Sequence, residues 1–68
     1  MRKLLVSISR ALVGKTLQQA EKIAEENDAE IRVAERDGEQ LDIDYGHRKN
    51  RVNVVLDRGR IVRVLGIG

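Results

Sequence analysis

Thr16–Asn27, TLQQAEKIAEEN, together with the Glu30-Ile31-Arg32-Val33-Ala34 that follows shortly after, decides how this chain is read. Thr16 and Gln19 have the spacing of a capping box, in which the hydroxyl accepts an orphan helix amide and the glutamine reaches back. Leu17, Ala20, Ile23 and Ala24 then recur at helical spacing on one face, while Glu21, Lys22, Glu25 and Glu26 occupy the other. Gly14 suits a chain turning into this helix and Asn27-Asp28 suits its end. The spacing therefore predicts a helix over residues 17–27. Glu30–Ala34 alternates instead, which predicts a short strand.

Towards the C-terminus, Arg51-Val52-Asn53-Val54-Val55-Leu56 is rich in β-branched residues and reads as a strand. Asp57-Arg58-Gly59-Arg60 has the chemistry of a hairpin turn, and Ile61-Val62-Arg63-Val64-Leu65 supplies the partner strand. Towards the N-terminus, Leu4, Val6 and Ile8 alternate with Leu5, Ser7 and Ser9. That period suits a half-buried strand, with a short helix as the alternative. Asp37-Gly38 marks a turn. Residues 39–50 are mostly polar, with Leu41, Ile43 and Tyr45 spaced between acidic residues, and read as a long loop.

The order is strand, helix, strand, long loop, hairpin. A strand–helix–strand unit feeding parallel pairing, closed by an antiparallel hairpin, implies an α+β fold. Its expected form is a single helix packed on a small mixed β-sheet, with a long exposed loop between parallel strands. Residues 1–68 are expected to make a single domain, because a chain of 68 residues has room for one modest core. The molecule is expected to be a monomer, or a homodimer paired through Leu4–Ile8.

Composition narrows the function classes. Hydrophobic residues make up 41% and charged residues 35%, which is ordinary for a globular protein and argues against disorder. With one Tyr and no Phe or Trp, the core must be built from Val, Ile, Leu and Ala. There is no cysteine, so neither a disulfide nor a thiolate metal site is expected. A cytoplasmic location is the expectation, with secretion left open. Ser7, Ser9 and Arg10 interrupt the apolar start before it reaches signal-peptide length. No stretch approaches the ~18 apolar residues of a membrane span, so no membrane association is expected. Thirteen positive residues face eleven negative ones, and a net charge of +2 does not by itself imply nucleic acid.

Enzyme signatures are thin. His47 is the only histidine, so nucleophilic triads have few ways to form, and no enzyme is expected. The scattered glycines make no phosphate-binding loop, and no cofactor is implied. Asp42 and Asp44 lie on one side of an extended segment. A firm Ca²⁺ site needs roughly six oxygen ligands, so no metal is expected there. Arg48-Lys49-Asn50-Arg51 has the charge to touch phosphates but no aromatic stacking partners, which weighs against nucleic acid as a ligand.

Leu41-Asp42-Ile43-Asp44-Tyr45 is informative for a different reason. One aliphatic side chain, Ile43, stands between two carboxylates in a segment expected to be exposed. If the loop arches back over the sheet, Arg48, Lys49 and Arg51 can hold those carboxylates by charge-assisted hydrogen bonds. A solvated charged loop with no task is the bland alternative. Tyr45 suits either a lid over the core or a contact residue, and His47 suits a solvated loop position.

With these elements in place, the chain resembles the potato inhibitor I family of serine-protease inhibitors, and bacterial-type relatives in particular. The resemblance runs from Leu12 to Gly68. It is carried by Leu12-Val13-Gly14-Lys15-Thr16 with Ala20, by Gly38 followed by Leu41-Asp42-Ile43-Asp44-Tyr45, by Arg51-Val52-Asn53-Val54, and by Gly59-Arg60-Ile61-Val62-Arg63-Val64. It implies a loop, Leu41 to Tyr45, that enters a protease active site like a substrate but is held too rigidly to be turned over. Counted from Gly38, Ile43 falls at the primary specificity position, with Asp42 before it and Asp44 after the scissile bond. An aliphatic residue there suits subtilisin- or elastase-like enzymes. A register shifted by two would place Tyr45 there and suit chymotrypsin-like ones. Arg51 matches a loop-supporting arginine of the family. Asn53 stands where the family has another, so Arg48 is expected to stand in. Between Tyr45 and Arg51 the chain is about two residues longer than the family pattern, which should loosen the tether.

Overall fold

The computed structural model describes residues 8–41, 46 and 48–68. The chain enters as a helical turn, α1 (residues 8–12), where a strand reaching Ile8 was the first expectation. The reason for this correction lies at Arg10. Strand alternation would put Arg10 on the same face as Ile8 and Leu12, whereas a helix sets residues four apart together and turns Arg10 away. Ile8 and Leu12 are both buried, at 2% and 0% exposure, and Arg10 is exposed. The described residues thus hold two helical segments rather than a single helix. The rest of the expected first strand, Leu4 to Ser7, lies outside the described residues.

The second helix, α2 (Leu17–Glu26), begins where the capping box placed it. The Gln19 amide donates to Thr16 Oγ1 at 3.2 Å, and the Thr16 amide donates to Gln19 Oε1 at 3.0 Å. At the other end Asp28 takes a positive φ of 55°. The Asp28 amide bonds Glu25 O, and the Ala29 amide reaches back to Ala24 O at 2.8 Å. These paired bonds form a Schellman closure, which satisfies carbonyls the helix leaves unpaired.

Four strands follow: β1 (Glu30–Arg36), β2 (Glu39–Gln40), β3 (Arg51–Asp57) and β4 (Arg60–Ile67). They form one mixed sheet in the order β2-β1-β3-β4, in which β1 and β3 run parallel and the other pairs antiparallel. The fold is therefore α+β, as expected. Residues 39–50 are not all loop. Asp37 and Gly38 both have positive φ, so a two-residue turn folds Glu39 and Gln40 back onto β1. A matching turn at Arg58 and Gly59, with φ of 54° and 80°, joins β3 to β4. The two turns are tied together, since the Arg58 amide donates to Asp37 Oδ1 at 2.7 Å.

The core lies between the helices and one face of the sheet. Ile8 and Leu12 of α1, Ala20 of α2, Val52, Val54 and Leu56 of β3 and Ile61 of β4 form the buried cluster. Alternation along β3 sends Arg51, Asn53 and Val55 to the opposite face. Two main-chain bonds between the α1–α2 connection and β4 pin the layers: Gly14 N to Ile61 O at 2.7 Å and Ile61 N to Lys15 O at 2.8 Å. Among the described residues, no helix is long and apolar enough to cross a membrane.

Candidate binding loop

Parallel neighbours cannot be joined by a tight turn, so the chain must travel the length of the sheet between the end of β1 and the start of β3. The β1–β2 turn and β2 use up the first part of that path. Residues 41–50 make the return, and both of their ends are anchored.

At the entrance, the Leu41 amide donates to Ala34 O at 3.0 Å, extending the β1–β2 pairing by one bond. Ala34 is the extra residue of a bulge in β1, between Val33 and Glu35 in the β3 register. At the exit, several groups fasten the chain to the start of β1. The Glu30 amide donates to Asn50 O at 2.8 Å. Asn50 Nδ2 donates to Asp28 O at 3.4 Å. Arg48 Nη1 donates to Glu30 Oε1 at 3.1 Å, with the two side chains 63% and 40% exposed. A pair so wet contributes little, about 0.2–1 kcal/mol.

The strongest anchor is Arg51. It leaves β3 on the face away from the helices, where it is partly buried. Its Nη2 donates to Gly46 O at 2.6 Å and its Nε to Gly68 O at 3.0 Å. One guanidinium thus joins exposed Gly46 to the end of β4. Charge-assisted bonds of this length are about twice as strong as neutral ones. The planar fork fixes the direction of both bonds at once.

Beside Arg51, Arg32 and Asn53 sit directly opposite each other in the β1–β3 register. Arg32 Nε donates to Asn53 Oδ1 at 2.6 Å, and Arg32 Nη2 reaches the same Gly68 O at 3.4 Å. Asn53 Nδ2 donates to Gly66 O at 3.4 Å. Arg32 and Arg51 each engage further groups beyond these.

No family model matches this chain, and no curated protein or solved structure matches it significantly.

Among the expected site residues, Leu41, Arg48 and Arg51 fall within the described structure. Arg51 braces the loop through Gly46. Arg48, expected to compensate for Asn53, instead makes its bonds to Glu30. The expected contact residues Asp42, Ile43, Asp44 and Tyr45, and also His47, lie outside the described residues. Sequence reasoning missed Arg32, Asn53 as its partner, and the acceptor role of Gly68. A signal for the first two was present. Each is a polar residue flanked on both sides by aliphatic ones, Arg32 by Ile31 and Val33 and Asn53 by Val52 and Val54, and the two strands were expected to lie side by side.

Proposed function

We propose that this chain is a serine-protease inhibitor of the potato inhibitor I type, acting by substrate-like insertion of a loop centred on Ile43. The observation that carries the reading is the Arg51 brace, which holds Gly46 O from one side and Gly68 O from the other. A loop fixed before binding loses less conformational freedom when an enzyme closes on it, so more of the contact energy appears as affinity.

The brace also bears on turnover. In this reading the protease attacks the carbonyl of Ile43, and the amine of Asp44 leaves. Gly46, two residues beyond Asp44, is tied by Arg51 to the sheet. The freed amine therefore stays near the acyl group at high effective concentration, and re-formation of the bond competes with attack by water. Arg48, Asn50 and Glu30 hold the far stem of the same loop. The partner is thus a serine protease with an apolar primary pocket, subtilisin- or elastase-like for Ile43, or chymotrypsin-like if Tyr45 takes that position.

A non-inhibitory protein-binding module on the same scaffold is the alternative reading, favoured by the half-exposed Val62 and Leu65 on edge strand β4. A nucleic-acid role has less support, because Arg48 and Arg51 are engaged by Glu30 and by main-chain carbonyls. The test is a panel of subtilisin, elastase and chymotrypsin with the intact chain, Ile43→Gly and Tyr45→Gly. Inhibition lost with Ile43→Gly and kept with Tyr45→Gly supports the reading as stated. The reverse pattern moves the register by two residues. No inhibition by the intact chain leaves the binding-module reading.

A further inference from the structure

Two guanidiniums, Arg32 and Arg51, converge on one main-chain oxygen, that of Gly68. Convergence of like charges is unfavourable unless each cation is held by something else. Arg51 is held by Gly46 O, which makes the loop one of its anchors. Arg32 is held by Asn53 Oδ1 in the tightest side-chain contact it makes among those described, and Asn53 is itself aimed by its bond to Gly66 O. The bonds form a continuous path from the β4 backbone through Asn53, Arg32, Gly68 and Arg51 to the loop at Gly46.

Position 53 has a constraint that follows from register. Arg32 and residue 53 are paired neighbours on adjacent strands. A second cation at 53 would face Arg32 across the pair, and like charges so placed are destabilising. A neutral acceptor is what that position needs so long as the cation comes from β1.

We propose that Arg32 and Asn53 act as one positioning unit, in which Arg32 with its Asn53 partner fixes the Gly68 acceptor and thereby the aim of Arg51 on the loop. The inference deepens the inhibitory reading and rests on it for its functional meaning. Among the described contacts, Arg32 reaches Arg51 through the shared Gly68 O, and Asn53 reaches it through Arg32. A consequence distinguishes this unit from ordinary strand packing: the cation and its acceptor can exchange strands, but only together.

The test compares Arg32→Asn, Asn53→Arg and the double exchange Arg32→Asn/Asn53→Arg. Loop opening is read as the rate at which thermolysin nicks the chain between residues 41 and 46. Thermolysin is a zinc protease, so its cutting does not depend on serine-protease inhibition. Global stability is followed in parallel by urea titration. Each single variant is expected to be nicked roughly tenfold to a hundredfold faster, the range for losing a charge-assisted hydrogen bond, with a much smaller shift in the urea midpoint. The double exchange is expected to return to within about threefold of the parent rate. Should a single variant fail to fold, Arg32→Lys keeps the charge without the fork and is expected to give an intermediate nicking rate. Single variants nicked at the parent rate, or a double exchange no better than the worse single, overturn the proposal. The inhibitory reading is judged separately, on the protease panel with the intact chain. A chain that inhibits nothing but shows the full nicking pattern loses that reading and keeps this one.

Discussion

Truncation of Leu12 to alanine tests whether α1 is part of the core or an attachment to it. Leu12 is fully buried, and its neighbours in the cluster are Ile8, Ala20, Val52, Val54, Leu56 and Ile61. Removing three carbons costs about 2.4 kcal/mol in transfer free energy, at about 0.8 kcal/mol per methylene. The cavity left behind adds to that unless the surroundings collapse into it. Collapse is restricted here. The segment after α1 is bonded to Ile61 at both Gly14 and Lys15, so α1 cannot slide towards the sheet without breaking main-chain bonds. The expected loss is therefore about 3 kcal/mol, within the usual range for such truncations. A chain of this size has roughly 3–10 kcal/mol in total, so the variant should be close to the edge of folding. With no Trp and a single Tyr, far-UV circular dichroism is the suitable signal for urea titration. For an m-value near 1 kcal/mol/M the midpoint should fall by about 3 M. A fall of less than about 0.5 M at unchanged m would mean that α1 does not seal the core, and the argument would fail.

Two further outcomes are expected. Thr16→Ala removes the acceptor that Gln19 N uses, while the main-chain amide of residue 16 can still donate to Gln19 Oε1, so it should cost about 1 kcal/mol in the same titration. A change near zero would mean that water replaces the hydroxyl at no cost. The β3–β4 turn should respond in opposite directions at adjacent sites. Gly59→Ala meets no steric neighbour within 4 Å, so its cost, about 1–2 kcal/mol, should come from the positive φ alone. Arg58→Asn places a residue tolerant of positive φ where an arginine now stands, keeps the backbone bond to Asp37, and should stabilise by about 0.5 kcal/mol. Equal and like-signed effects at the two sites would refute the assignment of strain to the backbone.

Local rules made much of this architecture legible. The Thr16–Gln19 box and the stripe of Leu17, Ala20, Ile23 and Ala24 act within one or two helical turns, and the helix runs over Leu17–Glu26 against an expected 17–27. The β3–β4 hairpin depends on β-branched strands and a glycine at a positive-φ position, and it too is local. Of the first expected element only Ile8 lies within the described residues, and there the short-helix alternative holds. Ile8 and Leu12, four apart with Arg10 between them, have the spacing of a helix face, which buries both and exposes Arg10. β2 was missed because a two-residue strand has no period of its own. It exists because the Asp37-Gly38 turn directs Glu39 and Gln40 along β1.

The amino-acid sequence by itself determined the elements whose causes lie within a few residues: the capped helix, the two positive-φ turns and the apolar faces of β1, β3 and β4. Only the tertiary structure decided which polar groups meet. Arg32, Arg51, Asn53 and Gly68 are separated by as many as 36 positions along the chain, and their convergence is set by the parallel register of β1 with β3 and by the return of β4. Register is a property of whole strands packed against a shared core, so no local pattern specifies which oxygen a guanidinium will find.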